Sequence, residues 1–310
     1  MYEQIAKNKR RTILMIIGSF VFLGAVGFVL GAVFYSPAEG IVWMCVGLVI
    51  AGIQSFVSLR YGDKLVLRAT RARAVSPEEN PRLHNLVEGM AIAAGIPKPD
   101  IYVVPEQAPN AFATGRDPEH ASIAVTEGLL EMMNRVELEG VLAHEMSHIL
   151  DRDMLVNTVV GTLVGAVVLI TEFMFRMWFW GGLTGNRRSS SSSSSGGGMV
   201  QVIFLVAGIA LLILAPIFAQ LIKMSVSRRR EYLADAQGAM LTRYPPGLAS
   251  ALRKIADSPN AMRVASNATN HFWLNEPTRL RRKGEKASWT DGLFSSHPPI
   301  QERIRILEEM

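Results

Sequence analysis

The residues best able to do chemistry lie in one run, VLAHEMSHILD at 141–151. Within it His144 and His148 are four residues apart. On a helix they share a face one turn apart, so two imidazoles can grip one metal ion. Glu145 follows the first histidine and can reach a water beside that metal. This H-E-x-x-H spacing is that of a zinc peptidase, with the glutamate as general base. Two imidazoles alone hold zinc poorly. A catalytic site needs a third protein ligand and one position left open for water. The elements around the motif decide where that ligand comes from.

Composition points to a membrane. The 310 residues carry a net charge of +5 and a mean hydropathy of +0.21, more apolar than a soluble chain of this length usually is. The single cysteine, Cys45, lies in an apolar run, which excludes an intramolecular disulfide and a cysteine-built metal cluster. The positive charge clusters beside apolar segments, where it sets topology and meets anionic lipid. With no nucleic-acid motif present, no nucleic-acid partner is expected.

Residues 13–35 and 41–59 carry no charge, and each can cross a bilayer core of about 30 Å at about 1.5 Å per residue. The basic tail before the first run suits a signal peptide, but the run is too long and no clear cleavage site follows. The link Ser36-Pro37-Ala38-Glu39-Gly40 reads as a tight turn joining an antiparallel hairpin. Gly27 and Gly31 suit close helix packing. A third apolar run, 154–175, follows the motif directly. A fourth, 199–224, comes after a serine- and glycine-rich flexible linker at 187–198. Lys and Arg crowd the N-terminal tail, the stretch 60–73 and Arg228-Arg229-Arg230, whereas the link between the first two runs has neither. The positive-inside rule then puts both termini and the motif in the cytoplasm, with 60–73 at the membrane surface and the lipid bilayer as a partner.

The chain therefore divides into a tail and transmembrane hairpin (1–59), a first cytoplasmic part (60–153), a second transmembrane hairpin (154–224) and a second cytoplasmic part (225–310). The first acid after the chain returns from the membrane is Glu231, in Arg230-Glu231-Tyr232-Leu233-Ala234-Asp235. On a helix Glu231 is placed to ligate the metal. Asp235, one turn on, can hydrogen-bond the far nitrogen of a ligand histidine and fix its tautomer. One zinc ion per chain is expected on His144, His148 and Glu231.

The cytoplasmic parts read as α+β. Ser76 looks like a cap for a helix through Leu83, Leu86, Val87, Met90 and Ala94, ending at Gly95. Strands are expected at 101–104, 110–114 and 122–125. Thr126 caps a helix through Met133, and the next helix starts near Asn134 and carries the motif. Further helices are expected at 248–255 and 300–309, and Arg152 and Asp153 read as helix-end ion pairs.

The set His144, His148, Glu231 and Asp235 resembles the gluzincin pattern of thermolysin-type metallopeptidases. The wider context resembles the HtpX family of bacterial membrane-bound heat-shock metalloproteases, relatives of the CAAX prenyl protease. It does so at NPRLH (80–84), PNAFATGRDPE (109–119), SRRREYLAD (227–235) and HPP (297–299). The serine–glycine linker departs from that family. The resemblance implies a mostly α membrane protein with four transmembrane helices and a cytoplasmic α+β gluzincin-like zinc peptidase domain. It implies a multi-pass protein of the bacterial inner membrane that cleaves protein or peptide substrates, in quality control of misfolded membrane proteins. It implies zinc on His144, His148 and Glu231, and Glu145 as the base that activates a water of pKa lowered to about 7. Asn110, Ala111, Phe112, Ala113 and Thr114 resemble the edge strand on which gluzincins lay an extended substrate. His297 and Arg303 resemble the family's C-terminal pair near the active site, with His297 a candidate for stabilising the oxyanion or for gating the fourth zinc position.

Other readings are weaker. An intramembrane protease would bury the motif in an apolar span, but Arg135, Glu137, Glu139, Asp151, Arg152 and Asp153 flank it. A prenyl-protein CAAX-type protease would have seven spans, not four. A non-catalytic zinc-binding membrane scaffold would have no need of Glu145.

Overall fold

The computed structural model describes residues 2–34, 36–161, 163, 228–259, 273–274 and 298–310. The expected third and fourth spans (beyond residue 163), the 187–198 linker and His297 lie outside the described residues. What is described is mostly helical with a small mixed sheet, and the chain divides into two compact units.

One unit, 14–57 with 163–221, contains most of the two long apolar helices, α1 (Tyr2–Phe34) and α2 (Pro37–Ala69). Both are long and apolar enough to cross a membrane, and most of their apolar surface is exposed. In water that exposure would cost far more than a folded domain tolerates. The helices touch backbone to backbone at glycines: a Cβ on Gly27 would lie 2.2 Å from Trp43 O, and one on Gly47 the same distance from Leu23 O. Two expectations shift. The polar N-terminal tail is helical from Tyr2, and 60–69 is not a separate surface segment but the continuation of α2. The link shortens because Pro37 starts α2, at the first helical position, where its missing N–H costs nothing.

The other unit, 1–13, 58–162 and 222–310, holds the motif. Its first helix, α3 (Pro81–Ala94), begins later than Ser76 suggested. Asn80 is its cap, accepting from Leu83 N, and Pro81 opens the helix; 76–79 form a turn. Gly95 closes α3 in the left-handed conformation, with φ 68°. The strands β1 (Arg73–Ala74), β2 (Asp100–Val104), β3 (Ala111–Gly115) and β4 (Ala121–Thr126) form a sheet in the order β1-β2-β4-β3. β2 and β4 run parallel, and β3 returns antiparallel to β4, so β3 ends the sheet.

Behind the sheet lie α4 (Glu127–Met132), α5 (Arg135–Leu150), α6 (Arg228–Thr242), α7 (Pro245–Asp257) and α8 (Ile300–Glu308). A helical stretch at 153–161 follows α5. Leu83, Val87, Ile123, Leu138, Leu142, Met146, Leu248 and Leu252 knit α3, the sheet, α5 and α7 into one apolar core.

Candidate metal centre

The motif rides on α5, and the sequence fixes that helix at its start. Asn134 Oδ1 accepts from Glu137 N at 2.9 Å while Glu137 Oε2 accepts from Asn134 N at 2.9 Å, a reciprocal capping box. Glu137 also accepts from Lys254 Nζ and Ser250 Oγ of α7, each at 2.7 Å. Glycine lets two helices close on α5. A Cβ on Gly140 would lie 2.7 Å from Leu248 N of α7, and one on Gly238 of α6 would lie 3.0 Å from His144 N. Gly238 is one heptad after Glu231, so the residue that brings α6 against α5 lies on the face that carries the acid.

Three side chains converge there. His144 Nε2 lies 3.1 Å from His148 Nε2 and 3.8 Å from Glu231 Oε2, and His148 Nε2 lies 3.7 Å from Glu231 Oε1. Donors around a tetrahedral zinc ion, at bonds of about 2.0–2.1 Å, stand roughly 3.3 Å apart, so the cluster has the right size. The far nitrogens decide its character. His144 Nδ1 lies 2.9 Å from Asp235 Oδ1, and His148 Nδ1 lies 3.2 Å from Asp153 Oδ2. A nitrogen facing a carboxylate carries the proton, which leaves both Nε2 lone pairs aimed at each other. Two such nitrogens 3.1 Å apart suit a cation between them, a proton or a metal ion. His144, His148 and Glu231 form a group able to hold one.

The electrostatics agree. Burial works to lower the His148 pKa, but the hydrogen bond to Asp153 and the nearby Glu231 and Glu145 outweigh it, and it is pushed up to about 9. The field favours a cation. Burial raises the pKa of Glu145, tempered by the two histidines. Burial also works to raise Asp153 and Asp235, yet Arg230 and Arg303 respectively hold both below the usual carboxylate range.

Asp153 was not legible as a support, and Arg303 was named near the site only through the resemblance. Asp153 does pair with Arg230, at 3.1 Å, but its other oxygen faces His148. Arg303, buried on α8, grips Asp235 with Nε at 2.8 Å and NH2 at 2.7 Å, and its NH1 lies 3.6 Å from Glu231 Oε2. The signal for Asp153 was its nearness to the motif; for Arg303 it was the stretch after HPP.

Asn110 to Thr114 are all buried, on or just before β3. Thr126 N donates to Asn110 O, so Ala111 turns its carbonyl away from β4, towards the outer edge. That carbonyl already accepts from Leu274 N at 2.9 Å, and Trp273 packs edge-on against Phe112. Ala113, two residues on, faces the same edge. The structure thus gathers His144, His148, Glu231, Asp235 and Arg303, with Glu145 buried beside them on α5.

A model of peptidase family M48 matches residues 77–310. A protein of Thermoanaerobacter pseudethanolicus is 42% identical over 310 residues, covering 100% of this chain and 98% of its own. One of Listeria monocytogenes is 43% identical over 312 residues, covering 100% of both. Each bears the name Protease HtpX homolog. The chain belongs to peptidase family M48. Among solved structures, S. mikatae Ste24p aligns at 18% identity with a TM-score of 0.49, over 99% of this chain and 67% of that one. As a member of M48 with two apolar helices and HtpX-named relatives, the chain is a membrane zinc metalloprotease acting on peptide or protein substrates.

Proposed function

We propose that this M48 peptidase binds one zinc ion through His144, His148 and Glu231 and cleaves peptide bonds with Glu145 as general base. The observation that carries this is the pair of imidazole Nε2 atoms 3.1 Å apart, each ring backed by a carboxylate, with Glu231 alongside. Zinc, when bound, supplies the Lewis acidity that makes a water acidic and a carbonyl electrophilic. Glu145 takes the proton of the attacking water and hands it to the departing amine. Its buried carboxylate, raised in pKa, is suited to both halves of that transfer. Asp235 and Asp153 hold the histidines as neutral ligands in one orientation.

An extended substrate lies along β3, and its backbone pairs with the outward-facing groups of Ala113, while Asn110 contributes at the end of the strand. The position of β3 at the edge of the sheet supports this. His297 remains the proposed oxyanion donor from the resemblance. The domain is gluzincin-like. Four helices cross the bacterial inner membrane, with 1–59 and 154–224 as hairpins and the peptidase parts 60–153 and 225–310 in the cytoplasm. The abundance of Lys and Arg around 60–73 and 228–230 supports that orientation. Misfolded membrane proteins are the substrates, as the heat-shock family implies.

Glu145→Gln tests the chemistry. It should retain stoichiometric zinc while cleavage of an unfolded membrane protein falls at least about 100-fold. Full cleavage by that variant would overturn the mechanism. A reporter fused to the C-terminus should read cytoplasmic, and a periplasmic readout would reverse the orientation.

A further inference from the structure

The first turns of α1 reach the support of the metal centre. Asn8 precedes Lys9-Arg10-Arg11, yet it is only 2% exposed. Its Nδ2 donates to Asp151 O at 3.0 Å and also to Asp153 Oδ1, which in turn takes Arg230 NH1 at 3.1 Å. The other oxygen of Asp153 faces His148 Nδ1. Asp151 closes α5, and its carbonyl, like all those at a helix end, needs a donor from elsewhere.

The residue type fits the task. A side-chain amide nitrogen presents two N–H groups and no charge, and two acceptors stand opposite it. Leucine would offer neither donor, and aspartate would set a carboxylate against a carboxylate. The turn carrying Asn8 is itself held, since Thr12 Oγ1 donates to Asn8 O at 3.1 Å.

We infer that Asn8 is a positioning residue of the zinc site, fixing Asp153 and through it the orientation of His148. The inference rests on His148 being a ligand. The start of α1 then belongs to the peptidase apparatus and is more than a tether. Carboxylates behind a metal-bound histidine are worth about 10- to 100-fold in metal affinity, and Asn8 acts on such a carboxylate.

The test uses full-length protein in detergent, loaded with zinc: wild type, N8L, D153N, the double variant and H148A. Zinc transfer to an excess of chromogenic chelator gives a release rate, and cobalt substitution gives a visible spectrum sensitive to ligand geometry. N8L should release zinc about tenfold faster and shift the cobalt bands. The double variant should release zinc no faster than D153N, because Asn8 acts through Asp153. A purely structural role would instead lower the melting temperature, leave the cobalt bands unchanged and add to D153N; that result overturns the inference. Should N8L fail to fold, N8S, too short to reach both acceptors, is read the same way. Zinc loss in H148A alongside wild-type behaviour in N8L overturns the Asn8 inference alone. Zinc held by H148A with the release rate and cobalt bands of wild type overturns the ligand reading beneath it.

Discussion

The two proposed ligand histidines receive the same kind of support at unequal stiffness. Behind His144 stands Asp235, gripped by both nitrogens of the Arg303 fork at 2.7–2.8 Å, and all three side chains are buried to 1% exposure or less. Behind His148 stands Asp153 at 3.2 Å, held by one Arg230 nitrogen at 3.1 Å and by Asn8, and His148 is 14% exposed. A planar bidentate pair fixes a carboxylate in position and angle, while two separate donors on one oxygen leave its angle freer. The lesson is one of division. The His144 side is built into the core, which predicts a role in folding as well as in metal binding, whereas the His148 side is predicted to act mainly on the metal.

Removing Arg303 should break that comparison most severely. Arg303→Met leaves Asp235 charged and buried without its partner, which should cost about 3–5 kcal/mol. Urea unfolding of the zinc-free protein measures it, and a loss under 1 kcal/mol would mean the fork is not structural. Asp153→Asn should act mainly on the metal, weakening zinc affinity about tenfold with a much smaller stability loss. Paired competition titration and unfolding decide this. If it destabilises as much as Arg303→Met, the two sides are equivalent.

Gly238→Ala should act between those extremes in kind but with less effect than Arg303→Met. Its Cβ would press on the backbone of His144, for a cost of about 1–3 kcal/mol and a weaker hold on zinc by Glu231. Unaltered stability and zinc retention would show that α6 can move aside freely. The smallest effect concerns Glu137, far from the metal on the same helix. Burial works to raise its pKa, but Lys254, Asn134 and Ser250 hold it below the ordinary carboxylate value. A depressed carboxylate stabilises the fold above its unfolded pKa and loses that contribution as pH falls through the folded value. Wild type should therefore lose stability below about pH 4.5 more steeply than Glu137→Gln. Parallel pH slopes would remove Glu137 from the support of α5.

What could be read from sequence follows physical range. The spacing of His144 and His148 and that of Glu231 and Asp235 are local helical periods, so a one-dimensional pattern carries them. The cap Asn134 and the stop at Gly95 are equally local. In sequence Asp153 reads as a helix-end charge, because its role depends on a turn. Arg152 adopts φ 56°, a left-handed conformation that no glycine announced, and that bend brings Asp153 back to His148. The sequence leaves the start of α3 open because Ser76 and Asn80 are both good caps followed by proline, and only Pro81, which a helix begun at Pro77 could not hold in its interior, decides for Asn80. Arg303 with Asp235, Leu274 with Ala111, and Asn8 with Asp153 join residues far apart in the chain. No periodicity encodes such pairs.

The most direct test is x-ray absorption at the zinc edge of the purified wild type. The convergence of His144, His148 and Glu231 predicts scattering from two imidazoles, with oxygen or nitrogen donors at about 2.0–2.2 Å and one imidazole lost in His148→Ala. A spectrum unchanged in His148→Ala, or dominated by a sulfur donor near 2.3 Å, would contradict it.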